Sequence, residues 1–359
     1  MAQAIAVERA GWLGFRWRGQ GLHGADRTDA LDDLLLLGVQ GGRGGGPEQS
    51  LIQRTAVIGR TPVAEAVRPD GPLVSVWSVR GAPHAHPLAM LDTVCDAVAP
   101  VATDEGGSAY LAAVAEVAAA LTAVVTTPMT KGRASAEVTA RVRPELVTWC
   151  QRCAATHVPD GMFRAAGCRA GIVLATRQRA TMLHPAPEHQ RVRVEHPRVA
   201  LLEAYFRANG PTTRTQFRDW LGSDPTAAWK TLGAELVRVR IEGRGLELPE
   251  PLLDAVRSAP EAEGVVLVPP NDGYLRQVDR QLLVPDRARR HEVWRALAAP
   301  GAVLSAGEVV GTWRYRRAEN ELTVTCFEPL SARQRADAEN SAGLMAETAG
   351  AAAPVVRWT

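Results

Sequence analysis

The sequence predicts an α+β protein built of winged-helix (helix-turn-helix) modules in tandem with a C-terminal β-rich subdomain. Three observations carry this reading. Residues 198–248 run helix, capped helix, tight turn, helix, then two alternating strands. Residues 108–184 give the same order of three helices and a hairpin. From Gly264 onward apolar residues alternate as they do in strands. The blocks divide at 1–100, 101–192, 193–258 and 259–359.

The third block is the clearest. A helix over 198–209 turns Val199, Leu202, Tyr205 and Phe206 inward and closes at Gly210-Pro211. Thr213-x-x-Gln216 is a capping box that opens a helix holding Phe217, Trp220 and Leu221. Gly222-Ser223 turns the chain, and Asp224 with Pro225 starts a helix to about Leu236. Strands at 237–241 and 246–248, joined through 242–245, make the wing. A helix that reads the major groove shows several Arg, Lys, Asn or Gln; 225–236 offers Lys230 and carries Glu235, so this module reads as a scaffold.

The second block opens with a helix over 108–124, its Leu111, Val114, Val117 and Leu121 on one side. Short helices at 135–142 and 144–155 follow. The latter carries Cys150-x-x-Cys153-x-x-x-His157, with Cys168 downstream, which by count matches a three-Cys, one-His zinc set. Its neighbours Leu146, Val147 and Trp149 are core types, so the thiols read as buried and no metal is assigned. A hairpin at 172–174 and 180–183 has Arg177 and Arg179 at its tip. Residues 185–197 read as a linker.

In the first block, Asp26 or Thr28 caps a helix with Ala30, Leu31, Leu34, Leu35 and Leu37 on its core side. Residues 48–58 read as a helix with Gln49, Gln53 and Arg54 outward. Residues 73–77 alternate as a strand and lead to His84-x-His86. Two histidines two apart on an extended segment share a face, but no third metal donor lies at useful spacing. In the last block a strand at 265–268 precedes a three-stranded meander over 303–304, 308–317 and 322–327. A closing helix spans 332–348, and the Ala-rich end reads as frayed.

Composition bounds the function. The chain has 359 residues, 46% hydrophobic and 22% charged, which suits a soluble globular protein. A formal net charge of +2 does not by itself announce nucleic acid. Of 41 basic residues, 39 are Arg and only Lys131 and Lys230 are Lys, a bias suited to phosphate contacts and equally to a GC-rich coding sequence. No apolar run reaches the roughly 18–20 residues of a membrane helix, and the N-terminus lacks a signal-peptide pattern. Five cysteines read as reduced thiols in a cytoplasm.

The stretch with the most chemical promise is Leu34–Ser50. Four leucines lead into Gly38-Val39-Gln40, and five of the next six residues are Gly, interrupted by Arg43. Gln40 thus stands where buried structure gives way to a loop that can approach a ligand closely. Backbone freedom with one Arg suits a phosphate or a flat ligand.

An ordered set of short motifs adds a resemblance. Gly38-Val39-Gln40, Arg80-Gly81-x-x-His84, Gly210-Pro211 with Phe217-x-x-Trp220, Pro270-x-Asp272-x-Tyr274 with Asp279-Arg280, and Gly311-Thr312-Trp313-Arg314 together resemble the actinobacterial winged-helix family that includes the AlkZ-like DNA glycosylases. The resemblance implies three winged helices in tandem and a β-rich end around a concave channel for duplex DNA. It also implies excision of bulky N7-alkylated purines by water attack at C1′, often as self-resistance to a genotoxic antibiotic, without a cofactor. Gln40 is then the catalytic residue, with Arg43, Gln53, Arg54, His84, Asp272 and Trp313 as substrate contacts and no metal. Active relatives carry Gln, an apolar residue, then Gln or Asp; here the third position is Gly42, with Gln49, Gln53 or Arg43 as possible polar replacements.

Three readings stay open at this point. One is a glycosylase acting on alkylated duplex DNA. Another is a protein of the same fold that binds DNA without cutting. The last is a scaffold that binds or transforms a small-molecule natural product, in a pocket where Gln40, His84, Asp272 and Trp313 converge. A monomer is expected in each case.

Overall fold

The N-terminal strand pairs with a partner more than two hundred residues away. In the computed structural model, which describes residues 4–22, 28–41, 46–177, 180–190, 192–277 and 279–359, with the backbone alone at 28–30, Ile5–Ala6 lies parallel to Leu236–Ile241. Arg244–Pro249 completes this three-stranded sheet as the antiparallel wing. Glu242 and Gly243 both have positive φ at the turn, 46° and 75°, as a two-residue hairpin loop of the primed type demands. The helix Arg9–Gly19 then packs on Pro197–Asn209 and Leu253–Arg257. Its last glycine is required there, since a Cβ at Gly19 would lie 2.6 Å from the Arg207 carbonyl oxygen.

An aromatic core holds this unit together. Trp12, Trp17, Tyr205, Phe206, Phe217, Trp220 and Trp229 are all buried. Tyr205 meets Phe217 edge-on with ring centroids 5.1 Å apart. The predicted capping box is present: Thr213 accepts from the Gln216 N–H, and the Gln216 side chain accepts from the Thr213 N–H. The following helix is shorter than the sequence suggested. It spans Thr226–Thr231, and Leu236 already belongs to the wing strand.

The first two blocks share a single sheet. Its six strands run in the order Val39–Gln40, Pro83–Pro87, Leu73–Trp77, Ile172–Arg177, Ala180–Pro185, Met129–Thr130. The Leu174–Ser75 pairing joins the halves, and Trp77 packs edge-on against Phe163 at 5.9 Å. Hydrogen bonding and core packing therefore cross the boundary expected at residue 100. The helix Gly107–Val124 is long and apolar enough to cross a membrane by length and composition, contrary to the expectation that no such run exists. Its Val114, Val117 and Leu121 nevertheless sit in the core of this block.

Two further predicted helices change. Residues 48–58 form a helix only over Pro47–Leu51. Gln53 and Arg54, expected outward, turn into the interior, and their internal hydrogen bonds end the helix. The cap expected at Asp26 or Thr28 lies outside the described residues and side chains. The helix expected over 144–155 is instead a short helical turn, Pro144–Leu146, followed by the hairpin Thr148–Cys150 and Ala155–His157. The third helix of the block is Asp160–Arg169. Cys150 and Cys153 are therefore surface residues, half-buried and exposed, rather than core thiols. Cys95 and Cys168 form a disulfide, against the expectation of reduced thiols, and tie Leu91–Val98 to Asp160–Arg169.

The C-terminal unit is a five-stranded sheet: Val265–Val268, Gly301–Ser305, Glu308–Arg316, Glu321–Cys326 and Val355–Trp358. The predicted meander forms its centre, and the helix Ala332–Glu347 packs on it against Val265–Val268. The chain end expected to fray pairs parallel with Glu321–Cys326.

A buried ion pair fastens this unit to the first block. Arg54 Nη1 and Nη2 donate to Asp272 Oδ2 and Oδ1, both at 2.8 Å, with both side chains essentially inaccessible. Arg54 Nε donates to the Gln20 carbonyl at 2.7 Å. Ser50 Oγ donates to the same carboxylate. Removing one partner strands a charge in the interior. Asp272→Ala is expected to destabilise the fold by about 3–5 kcal/mol in urea unfolding. A loss below about 1 kcal/mol would show that the pair is not the clamp described here.

Candidate nucleic-acid interface

Gln40 ends an edge strand. Val39 and Gln40 pair with Ala85 and His84, and the Gly41 N–H donates to the Pro83 carbonyl at 3.1 Å. The strand can start there because Gly38 has φ +89° and no side chain: a Cβ would strike the His86 ring. Behind the strand both histidines are buried. His86 Nδ1 donates to the Leu35 carbonyl at 3.1 Å, so its Nε2 accepts from Ser78 Oγ at 2.9 Å. His84 Nδ1 lies 3.0 Å from the Ala82 carbonyl. Burial pushes His86 down to about 4 and His84 well below the usual imidazole range. These rings are neutral supports for the strand that bears Gln40.

The Gln40 side chain reaches outward. Its Oε1 lies 3.4 Å from Arg80 Nη2, a long contact on an exposed face. Arg80 sits in the turn Val79–Gly81 with φ +55°, and its Nη1 donates to the Trp220 carbonyl at 2.5 Å. Gly222 lets the chain come close: a Cβ there would be 3.1 Å from Arg80 Cα. A cleft of about 530 Å³ opens beside Arg80, lined also by Trp220, Arg244, Arg276, Asp279 and Arg280.

The charge balance of this cleft is uneven. Asp279 Oδ2 accepts from Gln216 Nε2 at 2.6 Å and Arg244 Nε at 2.7 Å, while its Oδ1 caps the helix Arg280–Leu283. Arg276 Nη2 donates to Asn271 Oδ1 at 2.7 Å, and the Arg280 guanidinium lies 5.1 Å from the Trp294 ring centre. Asp219 lines the cleft without pairing to them. Among the described residues, then, Arg80, Arg276 and Arg280 have no carboxylate within ion-pair distance. Burial, and after it the charges of Arg276 and Arg280, pushes Arg80 down to about 10. Four arginines against the two carboxylates of Asp219 and Asp279 leave this cleft with a local excess of positive charge, which suits a polyanion.

The residues expected from sequence distribute differently. Gln40 faces outward, as anticipated. Arg43 and Gly42 lie outside the described residues. Gln53 Nε2 donates to the Ser341 carbonyl and its Oε1 accepts from Ser341 Oγ, at 3.0 and 2.7 Å. Arg54 and Asp272 are spent on each other. Trp313 is buried, with Nε1 donating to the Val268 carbonyl at 3.0 Å, and borders a separate cavity of about 110 Å³. His84, Asp272 and Trp313 do not line the cleft beside Gln40, so the pocket expected from those four residues is not formed. Burial and internal bonding take Gln53, Arg54, His84, Asp272 and Trp313 out of reach of a ligand. Arg80, Arg276 and Arg280 were missed. Two of them stood in quoted motifs, Arg80-Gly81 and Asp279-Arg280, where an Arg beside a turn or cap residue was the available signal.

The sequence model of the family described as DNA glycosylase AlkZ-like matches residues 34–348. The chain belongs to the AlkZ-like DNA glycosylase family. Among solved structures it resembles the Streptomyces sahachiroi DNA glycosylase AlkZ, with a TM-score of 0.72 at 20% identity, over 99% of this chain and 100% of that one. That likeness is one of fold. No curated protein sequence matches the chain. Membership of the AlkZ-like family makes DNA the partner of the protein and hydrolytic DNA repair its functional class.

The two buried imidazoles give the fold an acid limit. The unfolded chain takes up a proton on His86 near pH 6.5, whereas the folded protein resists until about 4. Stability is therefore complete above about pH 6.5 and falls as the pH drops below it, by about 3 kcal/mol once pH 4 is reached. His84 acts in the same direction. Urea midpoints measured at about pH 7.5 and about pH 5 should differ by at least the equivalent of about 1 kcal/mol, and equal midpoints would contradict neutral buried rings.

Proposed function

We propose that the protein removes N7-alkylated purines, bulky ones included, from duplex DNA by water attack at C1′, with Gln40 orienting the water. The supporting observation is the convergence of Arg80, Arg276 and Arg280 in one cleft, without ion-pair partners among the described residues, with Arg80 reaching the half-buried amide of Gln40. Phosphates of the duplex neutralise the three guanidiniums and set the register of the DNA.

The chemistry asks little of the protein. N7 alkylation gives the base a positive charge. As the C1′–N9 bond breaks, its electron pair moves onto the base and cancels that charge. The water oxygen bonds to C1′ and releases a proton to solvent. The Gln40 carbonyl accepts a hydrogen bond from that water and aims its lone pair, without acting as a strong base. The glycine-rich run after Gln40 suits adducts too large for a closed pocket. We assign the adducts of a DNA-alkylating antibiotic as the substrate class, with self-resistance as the biological role and a monomer as the acting form.

Gly42 favours a second reading. It stands where active relatives carry a second polar side chain, which leaves one water-orienting group instead of two. A DNA-binding protein that does not cut would tolerate that change.

One experiment separates the two readings. Duplex DNA bearing an N7-alkylguanine is incubated with wild type, Gln40→Ala and Gly42→Gln, and free base is measured. Excision should fall on the order of 10²-fold in Gln40→Ala and rise by about one order of magnitude in Gly42→Gln. Wild type that binds the duplex but releases no base establishes the non-cutting reading.

Binding has its own test. Replacing both Arg276 and Arg280 by Ala should flatten the slope of log Kd against log salt by roughly 2, since each lost phosphate contact removes about 0.9. An unchanged slope would place the DNA elsewhere.

A further inference from the structure

The hairpin that replaces the expected helix at 144–155 brings three metal-ligand side chains together. Cys150 ends the strand Thr148–Cys150, Cys153 lies in the turn, and His157 ends Ala155–His157. Their ligand atoms all lie within 4.8 Å of one another. A tetrahedral centre with metal–sulfur bonds of about 2.3 Å and metal–nitrogen bonds of about 2.0 Å sets its donors roughly 3.5–4 Å apart. Small side-chain rotations bring this trio into that range.

The surroundings prepare each donor. His157 Nδ1 lies 2.7 Å from the Val158 carbonyl, so the proton sits on Nδ1 and the Nε2 lone pair is free for a metal. Cys150 and Cys153 present two sulfurs from the end of one strand and the turn that follows it, three residues apart, a common spacing for a thiolate pair on one metal. The turn is shaped for this. The Cys153 N–H donates to the Cys150 carbonyl at 3.2 Å, and Ala154 takes φ +48° to bring the second strand back. Asp160 is the nearby carboxylate, but Lys131 and Arg164 hold its two oxygens. It is not a fourth donor.

We propose that Cys150, Cys153 and His157 bind a single zinc-class divalent ion, with water in the fourth position, and that the ion pins the tip of this hairpin. Two thiolates and an imidazole select zinc over hard, oxygen-seeking cations such as magnesium. The hairpin is short, with three residues in each strand and an exposed Trp149 at its middle. Two such strands alone hold weakly, so a metal staple explains why the turn carries two cysteines at the surface.

The test uses the full-length reduced protein, stripped with a chelator and titrated with Co²⁺. The expected result is one Co²⁺ per chain, a thiolate-to-cobalt charge-transfer band in the near-ultraviolet, and loss of that band on adding one equivalent of Zn²⁺. Cys150→Ser and Cys153→Ser should each abolish the band, and His157→Ala should weaken or remove it. Cys326→Ser, which removes the other thiol outside the Cys95–Cys168 disulfide, should leave it intact. The proposal is overturned if wild type shows no band, or if the band follows Cys326. It is equally overturned if Cys150 and Cys153 pair as a disulfide under the reducing conditions of the titration. Circular dichroism of each variant separates loss of metal from loss of fold.

Discussion

The ion pair between Arg54 and Asp272 is the constraint on which the site depends. Arg54 lies three residues past the helix Pro47–Leu51, which follows the glycine run after Gln40. Asp272 lies in the C-terminal unit and accepts from the Tyr274 N–H, so it caps the short helix Gly273–Arg276. That helix delivers Arg276 to the cleft. One buried salt bridge thus relates the segment that carries Gln40 to the segment that carries a phosphate-ready guanidinium. A pair so deeply buried gains little net energy over apolar packing. Its value is geometric. Two bidentate bonds, with Ser50 on the same carboxylate, permit one relative placement of the two units.

Arginine is used in two opposed ways in this protein. Arg16 is fully buried and, among the described residues, has no carboxylate within ion-pair distance. It donates to the carbonyls of Tyr274 and Gln277 and lies 4.3 Å from the Tyr274 ring centre. Burial lowers its pKa, and the protein meets the charge with dipoles and ring faces. Arg80, Arg276 and Arg280 are only partly buried and keep donors facing a cleft. A formal net charge of +2 conceals this difference, because the count averages over the whole chain while the cleft sets four arginines against two carboxylates. Bulk charge reports an average, and binding to a polyanion responds to the local excess.

Much of the fold was legible, and the places where reading failed share a cause. The capping box at Thr213, the wing at 236–249 and the central meander rest on local rules, and local rules predicted them. The helix expected at 48–58 failed because Gln53 and Arg54 are polar yet turn inward, toward Ser341 and Asp272. Those partners are more than two hundred residues away, and no periodicity reveals them. The hairpin at 148–157 was read as a helix from Pro144 at a first-turn position, and its thiols as buried because Trp149 looked like a core residue, whereas Trp149 is largely exposed. The same long-range logic governed the site. Gln40 was singled out because a leucine run breaking into glycines is a local signal. Asp272 and Trp313 were singled out from motifs whose residues serve packing. The three arginines meet through tertiary structure alone, from segments nearly two hundred residues apart in sequence.

The cationic cleft poses an electrostatic question for any reaction that builds positive charge at C1′. A guanidinium at about 4 Å acts on such a charge with roughly 4 kcal/mol at an effective dielectric near 20. Three unpaired guanidiniums would oppose an oxocarbenium-like sugar rather than assist it. The opposition vanishes once phosphates sit on them. Each phosphate cancels one arginine, and the flanking backbone then presents net negative charge to the sugar. On this account the substrate's phosphates offset the cationic excess that Asp219 and Asp279 leave in the cleft, and free base or nucleoside would meet a hostile field. An amide such as Gln40 suits this arrangement better than a carboxylate. In the proposed reaction it would orient water without adding a charge that the arginines would capture, and its 3.4 Å contact with Arg80 is a long one.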